Sequence, residues 1–227
     1  MEEDLNTAKL VALTNPVDHN ILTAEDFVAY CARVSNPANQ LNTETSNRLL
    51  KYLAKNSHWS PFEMVSVTME IVTTRDIARQ ILRHRSFSFQ EFSQRYADPT
   101  SDLGFTHREA RLQDTKNRQN SLEIEVDTRG IAYEFMMYQN TVIDLAKKAY
   151  ESAIRDGIAK EQARVFLPEG LTVSKMYMAG TLRSWIHYCD LRMGNGTQKE
   201  HKLVATECWN ELTKYFTYLS DVISKDA

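Results

Sequence analysis

The sequence predicts an α+β fold in which helices pack around a small antiparallel sheet. Segments with apolar residues at every third or fourth position, the spacing typical of amphipathic helices, make up most of the chain. One segment, Val65 to Ile71, alternates apolar and polar residues instead, which predicts a strand with one buried face. The length of 227 residues fits one domain with an ample core, so we expect residues 1–227 to form a single domain.

The composition argues against several classes of protein. A net charge of −3 and a pI of about 6.1 argue against a dedicated nucleic-acid binder, which usually has a basic excess. Cys31, Cys189 and Cys208 lie far apart in the sequence and predict reduced thiols rather than disulfides or a zinc site. No apolar run is long enough to cross a membrane, and the acidic N-terminus is unlike a signal peptide. We therefore expect a cytoplasmic protein with no membrane partner.

The N-terminal part predicts strands and helices in a mixed order. A Thr23–Asp26 pair is a variant of the capping box that begins helices, and Thr74 is placed to cap the helix after the alternating strand. The predicted elements are a strand at 9–13, a helix from Thr23 to Ser35, a helix at 43–56, the strand at 65–71 and a helix beginning at Thr74.

The C-terminal part begins with a polar segment, about 97–129, which we expect to be mobile, with one short helix and solvated basic residues. A long helix is predicted from Thr128 to Gly157, and its apolar stripe is expected to face the core. That stripe comprises Ile131, Phe135, Tyr138, Val142, Leu145 and Ala149. A strand at 171–178, a helix at 181–192 beginning at Thr181, and a last helix at 197–223 complete the prediction.

The stretch from Gln80 to Tyr96 contains the densest group of candidate ligand-binding side chains. Arg83, His84 and Arg85 follow one another at the end of the predicted helix. Because arginine binds phosphate and carboxylate through paired N–H donors, this density suits an anionic ligand larger than one phosphate. A solvated helix end packed against acidic neighbours would have a similar composition, so the charges alone leave both interpretations open.

The Arg83-His84-Arg85 triplet is followed, after seven free positions, by Ser93, and this pattern resembles the signature of the flavin-dependent thymidylate synthases. Further stretches resemble that family's motifs in the same order, over about residues 25–210. They are Ala32 to Ser35, His58 to Glu63, Ala163 to Pro168, and Thr181 to Arg192. The chain departs from the family pattern at Gln94, Thr181 and the 194–196 turn. The resemblance implies the fold of that family and a single catalytic domain.

The resemblance also implies an activity, the reductive methylation of dUMP to dTMP. Methylenetetrahydrofolate would donate the carbon, NADPH would reduce FAD, and the flavin would deliver hydride. The family forms homotetramers with active sites at subunit interfaces. The apolar settings of Cys189 and Cys208, neither with a base beside it in sequence, agree with a reaction that needs no cysteine nucleophile.

By the same resemblance, Arg192 is the catalytic residue, placed at the base edge to stabilise negative charge on the uracil ring. Arg164 lies between Ala163 and an apolar run, where an unpaired arginine would be costly to bury, and the resemblance implies that it holds the phosphate end of the nucleotide. The residues implied for dUMP are Gln80, Arg83, Glu91, Ser93, Gln94, Arg95, Arg164 and Arg192. Those implied for FAD are Ser35, His58, Ser60, Arg83, His84, Arg85, Glu91, Thr181, Arg183 and His187.

Two other functions were considered. A non-catalytic nucleotide or single-stranded RNA binder would use Phe87, Phe89 and Phe92 as a stacking platform beside the arginines. A metal hydrolase would use histidines as ligands, but none of them shows a ligand spacing such as His-x-x-x-His. The histidines concerned are His58, His84, His187 and His201. We therefore predict no metal and no nucleic-acid partner.

Overall fold

The computed structural model describes residues 5–222, in which helices and strands are interspersed along the chain. The helices are α1 (Ala24–Ala32), α2 (Ser46–Lys55), α3 (Arg75–Ile81), α4 (Pro99–Asp102), α5 (Ile131–Arg155), α6 (Lys160–Ala163), α7 (Leu182–Met193) and α8 (Lys199–Tyr215). The strands are β1 (Thr7–Leu13), β2 (Ser66–Thr74), β3 (Ser88–Glu91), β4 (Arg111–Gln113), β5 (Ser121–Glu123) and β6 (Val173–Thr181). Short 3-10 turns lie at Pro37–Asn39, Ser60–Met64, Arg164–Phe166 and Thr217–Asp221.

The central sheet is antiparallel, with its strands in the order β1-β2-β6-β3. Strands β2 and β6 pair along their whole length, from Ser66 opposite Thr181 to Thr74 opposite Val173. The alternation that predicted β2 is the reason for its burial pattern, because Val67, Met69 and Ile71 are fully buried in the core. The predicted α+β architecture, with helices around a small antiparallel sheet, is confirmed.

Helices α7 and α8 pack together and supply much of the core around the sheet. Trp185 of α7 is fully buried and donates its indole N–H to the carbonyl of Val67 at 3.1 Å, which joins helix to strand. The predicted cap of α7 is confirmed, because the Thr181 hydroxyl accepts the backbone N–H of Ser184. This arrangement fixes α7 against the end of β6.

Gly180, the second-last residue of strand β6, lies against the ring of Phe87. A Cβ atom at position 180 would come within 2.4 Å of the Phe87 Cδ1 atom, which is well inside van der Waals contact. The Phe87 ring packs edge-on against Trp185, with ring centroids 4.9 Å apart. The absence of a side chain at position 180 therefore allows the segment after Arg85 to fold back over α7.

Several predicted boundaries differ from the structure. The strand predicted at 171–178 spans 173–181, and the last helix ends at Tyr215 rather than near residue 223, which lies outside the described residues. Thr74 precedes α3 as predicted, but its hydroxyl donates to the carboxylate of Asp76 and does not accept a helix N–H. Strand β3 and the β4–β5 hairpin were not predicted, because both depend on pairing with other segments.

Helix α5 has the predicted extent, but the prediction of its buried face was wrong. Phe135, Tyr138, Val142 and Leu145 are exposed, with Tyr138 and Leu145 each 68% accessible. The helix instead packs through residues on another side, namely Gln139, Ala146, Tyr150 and Ala153. A regular apolar stripe is therefore left uncovered within one chain.

None of the helices within residues 5–222 is long and apolar enough to cross a membrane.

Candidate active site

The predicted site residues fall into four groups of contacts, and Arg192 belongs to the most buried of them. Arg192 lies in the last turn of α7, and its Nε donates to Nε2 of His84 at 3.0 Å. Because His84 Nε2 accepts, the ring proton belongs on Nδ1 and the ring is neutral. Burial, together with the charges of Arg192 and Arg83, lowers the pKa of His84 to about 4. His84 thus fixes one edge of the Arg192 guanidinium.

His201 of α8 is fully buried behind this pair. Its Nδ1 lies 3.3 Å from the side-chain oxygen of Gln80, and its Nε2 lies 3.1 Å from the hydroxyl of Tyr188. An amide oxygen can only accept, so Nδ1 donates to Gln80 and Nε2 accepts from Tyr188. Burial, with the charges of Arg192 and His84, lowers the pKa of His201 to about 3. A neutral His201 therefore sets which way the Gln80 amide points.

The Gln80 amide is held from its other end as well. Its nitrogen donates to the side-chain oxygen of Gln198 at 2.8 Å, and the Gln198 nitrogen donates to Glu200 at 2.9 Å. No role in nucleotide binding was predicted for His201, Gln198 or Glu200. Gln80 lies about 120 residues from Gln198 and His201 in the chain, and no local pattern marks such contacts.

The second group brings Arg95 and Arg164 together at Glu161. Arg95 Nη2 forms an ion pair with Glu161 at 3.1 Å, and Arg164 Nε donates to the carbonyl of the same residue at 3.2 Å. The expectation that Arg164 is buried was wrong, because its side chain is exposed beside a 3-10 turn. Both guanidinium groups keep N–H donors facing solvent, as an anion site requires.

Ser93 and Gln94 lie just before Arg95. The Ser93 hydroxyl accepts the backbone N–H of Arg95 at 3.4 Å. The side chain of Gln94 is buried, and its amide nitrogen has no hydrogen-bond partner. An unpaired buried donor is costly, so this nitrogen is a candidate for contact with a bound group.

The third group surrounds Glu91 of β3. Its carboxylate accepts from the Ser174 hydroxyl at 3.0 Å and lies 3.5 Å from Arg75 Nη1 and 3.9 Å from Arg79 Nη1. Arg75 is almost fully buried, so Glu91 balances a charge that would otherwise be costly to bury. Within the chain, Glu91 anchors β3 to β6 and α3.

The fourth group joins the 58–63 segment to the start of α7. Glu63 accepts from the Thr181 hydroxyl and from Arg183 Nη1, each at 2.7 Å. The Thr181 hydrogen bond and the Arg183 contact lower the pKa of Glu63, although burial opposes them. His187 packs edge-on against Trp59 at 4.8 Å, and burial and Arg183 lower its pKa. Glu63 is the last residue of the motif from His58 to Glu63, but no role was predicted for it.

Five predicted residues remain outside these groups. Arg83 and Arg85 are exposed, and no carboxylate within residues 5–222 lies at ion-pair distance from either. His58 is exposed with its ring 6.3 Å from that of Tyr52. Ser35 follows α1 and Ser60 begins a 3-10 turn, and both are exposed. Two cations without internal partners are thus available to a ligand.

Two features of the structure bear on the alternative functions, a nucleotide or RNA binder and a metal hydrolase. Phe87 and Phe89 are partly buried and pack against the core, so they do not form an exposed stacking platform. Within the part of the chain that the structure describes, no three or more His, Cys, Asp or Glu side chains are grouped as metal ligands.

The 97–129 segment differs from the expectation of solvated basic residues. Arg111 is largely buried and donates to Glu200 at 2.6 Å, while Arg108 lies 3.5 Å from the same carboxylate and 2.9 Å from Asp76. Burial alone would raise the pKa of Glu200, but the hydrogen bond from Arg111, those from its own backbone N–H and from Gln198, and the charge of Arg108 together lower it. This segment is therefore tied to α8 and α3.

A cleft of about 500 Å³ lies between this segment and the start of α8, and it was not predicted. None of the residues assigned to dUMP or FAD from the sequence lines it. Its walls are Arg108, Glu109, Arg111, Gln113, Arg118, Gln119, Asn120, Ser121, Glu123, Phe135, the turn Gly194–Thr197, Gln198, Lys199 and Lys202.

Comparisons with known proteins agree with the motifs. The family model described as thymidylate synthase complementing protein, Thy1, matches residues 17–216. The chain is 47% identical over 219 residues to a probable flavin-dependent thymidylate synthase of Paramecium bursaria Chlorella virus 1, covering 96% of this chain and 98% of that one. It is 47% identical over 211 residues to a flavin-dependent thymidylate synthase of Synechocystis, covering 92% and 94% of the two chains.

A solved structure has the same fold. The crystal structure of the UMP/dUMP methylase PolB from Streptomyces cacaoi, bound with 5-Br dUMP, superposes with a TM-score of 0.78 at 23% identity. The match covers 95% of this chain and 93% of that one.

Proposed function

The chain belongs to the flavin-dependent thymidylate synthase family, and from this premise we propose that it makes dTMP by reductive methylation of dUMP. Methylenetetrahydrofolate is the proposed carbon donor, and NADPH the proposed reductant of a bound FAD. The observation that carries the proposal is the pairing of Arg192 with a neutral His84, because it holds a cation in a fixed orientation beside the signature segment.

The side chains present fit a flavin dinucleotide. Its diphosphate requires cations that are not neutralised by the protein, and Arg83 and Arg85 meet that requirement. The Thr181–Glu63–Arg183 contacts hold a third cation, paired with Glu63, at the start of α7. When bound, the flavin supplies the hydride for reduction of the transferred carbon. The chain's own part is to bind, orient and polarise the reactants.

Arg192 is the proposed catalytic residue. Methylation at C5 requires negative charge to develop on the uracil ring, and a positioned cation stabilises such charge by about 3–4 kcal/mol. His84 occupies the Nε edge of the guanidinium, and so the two terminal nitrogens are available to the base. The proposed role of Gln80 is to bind the nucleotide through an amide that His201 and Gln198 orient.

The nucleotide phosphate is proposed to bind at the second group, around Glu161. Arg95 and Arg164 offer donors there, and the unpaired Gln94 nitrogen lies in the same segment as Arg95. Paired guanidinium donors are the usual ligands of phosphate in proteins.

The proposed reaction uses no cysteine nucleophile. Cys189 and Cys208 are fully buried, and burial raises the pKa of both thiols, so the reactive thiolate is disfavoured. Cys31 is partly buried, and burial raises its pKa as well.

A homotetramer is proposed because α5 presents an uncovered apolar stripe. Phe135, Tyr138, Val142 and Leu145 are exposed on one helix, and a contiguous patch of this kind is typical of an interaction surface. Active sites would then form between subunits, with groups from neighbouring chains completing each one. The protein is further proposed to act in the cytoplasm without a nucleic-acid partner, in line with its net charge of −3.

The visible spectrum of the purified protein tests this function. We expect a yellow protein whose flavin absorbance is lost on anaerobic addition of NADPH, and dTMP formation that requires both dUMP and methylenetetrahydrofolate. A colourless protein that forms no dTMP even when FAD is added would contradict the proposal.

A further inference from the structure

We propose that the cleft between the β4–β5 hairpin and the start of α8 binds the oxyanion-bearing end of one of the two cosubstrates. This inference rests on the proposed function, which requires a dinucleotide with phosphates and a folate with glutamate carboxylates. The cleft volume of about 500 Å³ is within the range of ligand sites, roughly 300–1,000 Å³.

The cations of the cleft are not all neutralised by the protein. Lys199 is shared by Glu109, at 2.9 Å, and Glu123, at 2.6 Å, so its charge is more than neutralised. Arg118 and Lys202 also line the cleft, and neither has a carboxylate at ion-pair distance within residues 5–222. Two unbalanced cations facing one cavity attract an anion.

A buried donor in the cleft wall supports the same conclusion. The Arg111 side chain is only 9% exposed, and its Nη1 has no hydrogen-bond partner. A carboxylate oxygen of Glu109 lies 3.8 Å from it, which is beyond hydrogen-bond distance. Buried N–H donors of this kind are normally satisfied, and a modest shift on ligand binding would turn this one to the cleft.

The start of α8 adds an electrostatic field that favours an anion. This 17-residue helix begins at Lys199, and the residue before it, Gln198, does not cap it with its side chain. The N-terminus of a helix carries a partial positive charge, which favours an anion in the adjoining cleft.

The cleft is connected to the candidate active site. Gln198 lines the cleft and accepts a hydrogen bond from Gln80, the residue proposed to bind dUMP. Gly194 also lines it and lies two positions after Arg192. A long cosubstrate with its anionic end in the cleft would therefore extend toward the reacting groups.

The amides and hydroxyls of the wall suit both possible ligands. Gln119, Ser121 and Asn195 provide donors to oxyanions, and Phe135 provides one apolar surface. Phosphates of a reduced nicotinamide dinucleotide and γ-linked glutamates of a folate share this chemistry. Binding measurements with each ligand distinguish them.

The test compares the flavin-loaded Arg118→Gln/Lys202→Gln double variant with the wild type. Lys116→Gln is the matched control, because Lys116 is exposed on the same hairpin but does not line the cleft. Dissociation constants are measured for NADP⁺, for tetrahydrofolate with one and with three glutamates, and for inorganic pyrophosphate. Far-UV circular dichroism and dUMP affinity report on whether the fold and the nucleotide site are intact.

We expect the double variant to bind one cosubstrate about tenfold or more weakly, since two charge-assisted contacts are lost. Lys116→Gln should leave it unchanged. Weaker NADP⁺ binding by the double variant identifies the dinucleotide as the ligand. If the double variant instead no longer binds the folate with three glutamates more tightly than the folate with one, the folate is the ligand. Pyrophosphate binding should weaken in the same variant.

Unchanged affinity for both cosubstrates overturns the proposal, whatever the result with pyrophosphate. Failure of the proposed function gives a different result, because the wild type would then form no dTMP. In that case, unaltered pyrophosphate binding in the double variant would also rule out an anion site in the cleft. Weakened pyrophosphate binding would show that the cleft is an anion site, but one that does not serve this reaction.

Discussion

Arg192 and His84 are joined by a hydrogen bond of 3.0 Å in which the guanidinium is the donor and the imidazole the acceptor. The pair links the end of α7 to the residues that follow α3. Because the acceptor must be neutral, the depressed pKa of His84 and the orientation of Arg192 depend on each other.

The first prediction concerns Arg192 itself. Arg192→Ala is expected to lower the rate of dTMP formation about a hundredfold to a thousandfold, by removing the cation that stabilises charge on the base. Arg192→Lys keeps the charge but not the fixed planar group, so it should restore only part of the rate. Single-turnover assays and flavin absorbance measure the two properties separately. Near-wild-type turnover in Arg192→Ala would exclude the assigned role.

The second prediction concerns acid sensitivity. His84 and His201 have pKa values of about 4 and about 3 in the folded chain, against about 6.5 for unfolded histidine. Below pH 6.5 the unfolded chain therefore binds more protons, and the folded state loses about 1.4 kcal/mol per pH unit for each fully buried histidine. The loss continues until the pH reaches the folded pKa, and His84, which is partly exposed, contributes less.

Urea unfolding at pH 7 and pH 5, at one fixed protein concentration, measures this effect in the wild type and in His201→Gln. The variant should show a smaller fall in unfolding free energy. NMR titration of His201 in the wild-type protein is a check that does not depend on how the variant folds. A His201 pKa near 6.5 would contradict the prediction.

The third prediction concerns Glu200, which balances two arginines. Glu200→Gln should lower the free energy of unfolding by about 3 kcal/mol or more, because Arg111 would remain buried beside a neutral group. Glu123→Gln is the control, since that carboxylate is exposed in its pair with Lys199 and its loss should cause no measurable change. Equal effects of the two substitutions in denaturant titrations would argue against this account.

The fourth prediction concerns subunit assembly. Leu145→Glu places a charge in the exposed stripe of α5 and should convert the proposed tetramer to smaller species. Light scattering coupled to size-exclusion chromatography gives the mass of each species. Val17→Glu is the control, because Val17 is also exposed but lies before α1. A tetramer that persists in Leu145→Glu would exclude this face as an interface.

Local interactions account for what could be predicted from the sequence. The alternation in β2 and the cap at Thr181 involve neighbours within a few positions, and both are found as expected. Strand β3 could not be predicted in this way, because it is stabilised by pairing with β6 across about 90 residues and by the Glu91–Arg75 contact.

Periodicity predicted that one face of α5 is apolar, but it could not show that the rest of this chain leaves that face exposed. Similarly, the motifs identified Arg183 and Arg192, whereas their partners Glu63 and His84 are defined only by folding. The fold class was thus accessible from the sequence, and the site residues could be proposed from it. The network through His201, Gln198 and Glu200 was not, because it depends on contacts distant in the chain.

The contact between Gly180 and Phe87 limits how this protein can diverge. A methyl group at position 180 would overlap the aromatic ring, so evolution can enlarge that residue only if position 87 shrinks in the same lineage. We expect the two sites to covary among relatives, glycine accompanying an aromatic side chain. A homologue that retains one without the other would need a different path for the backbone after its arginine triplet.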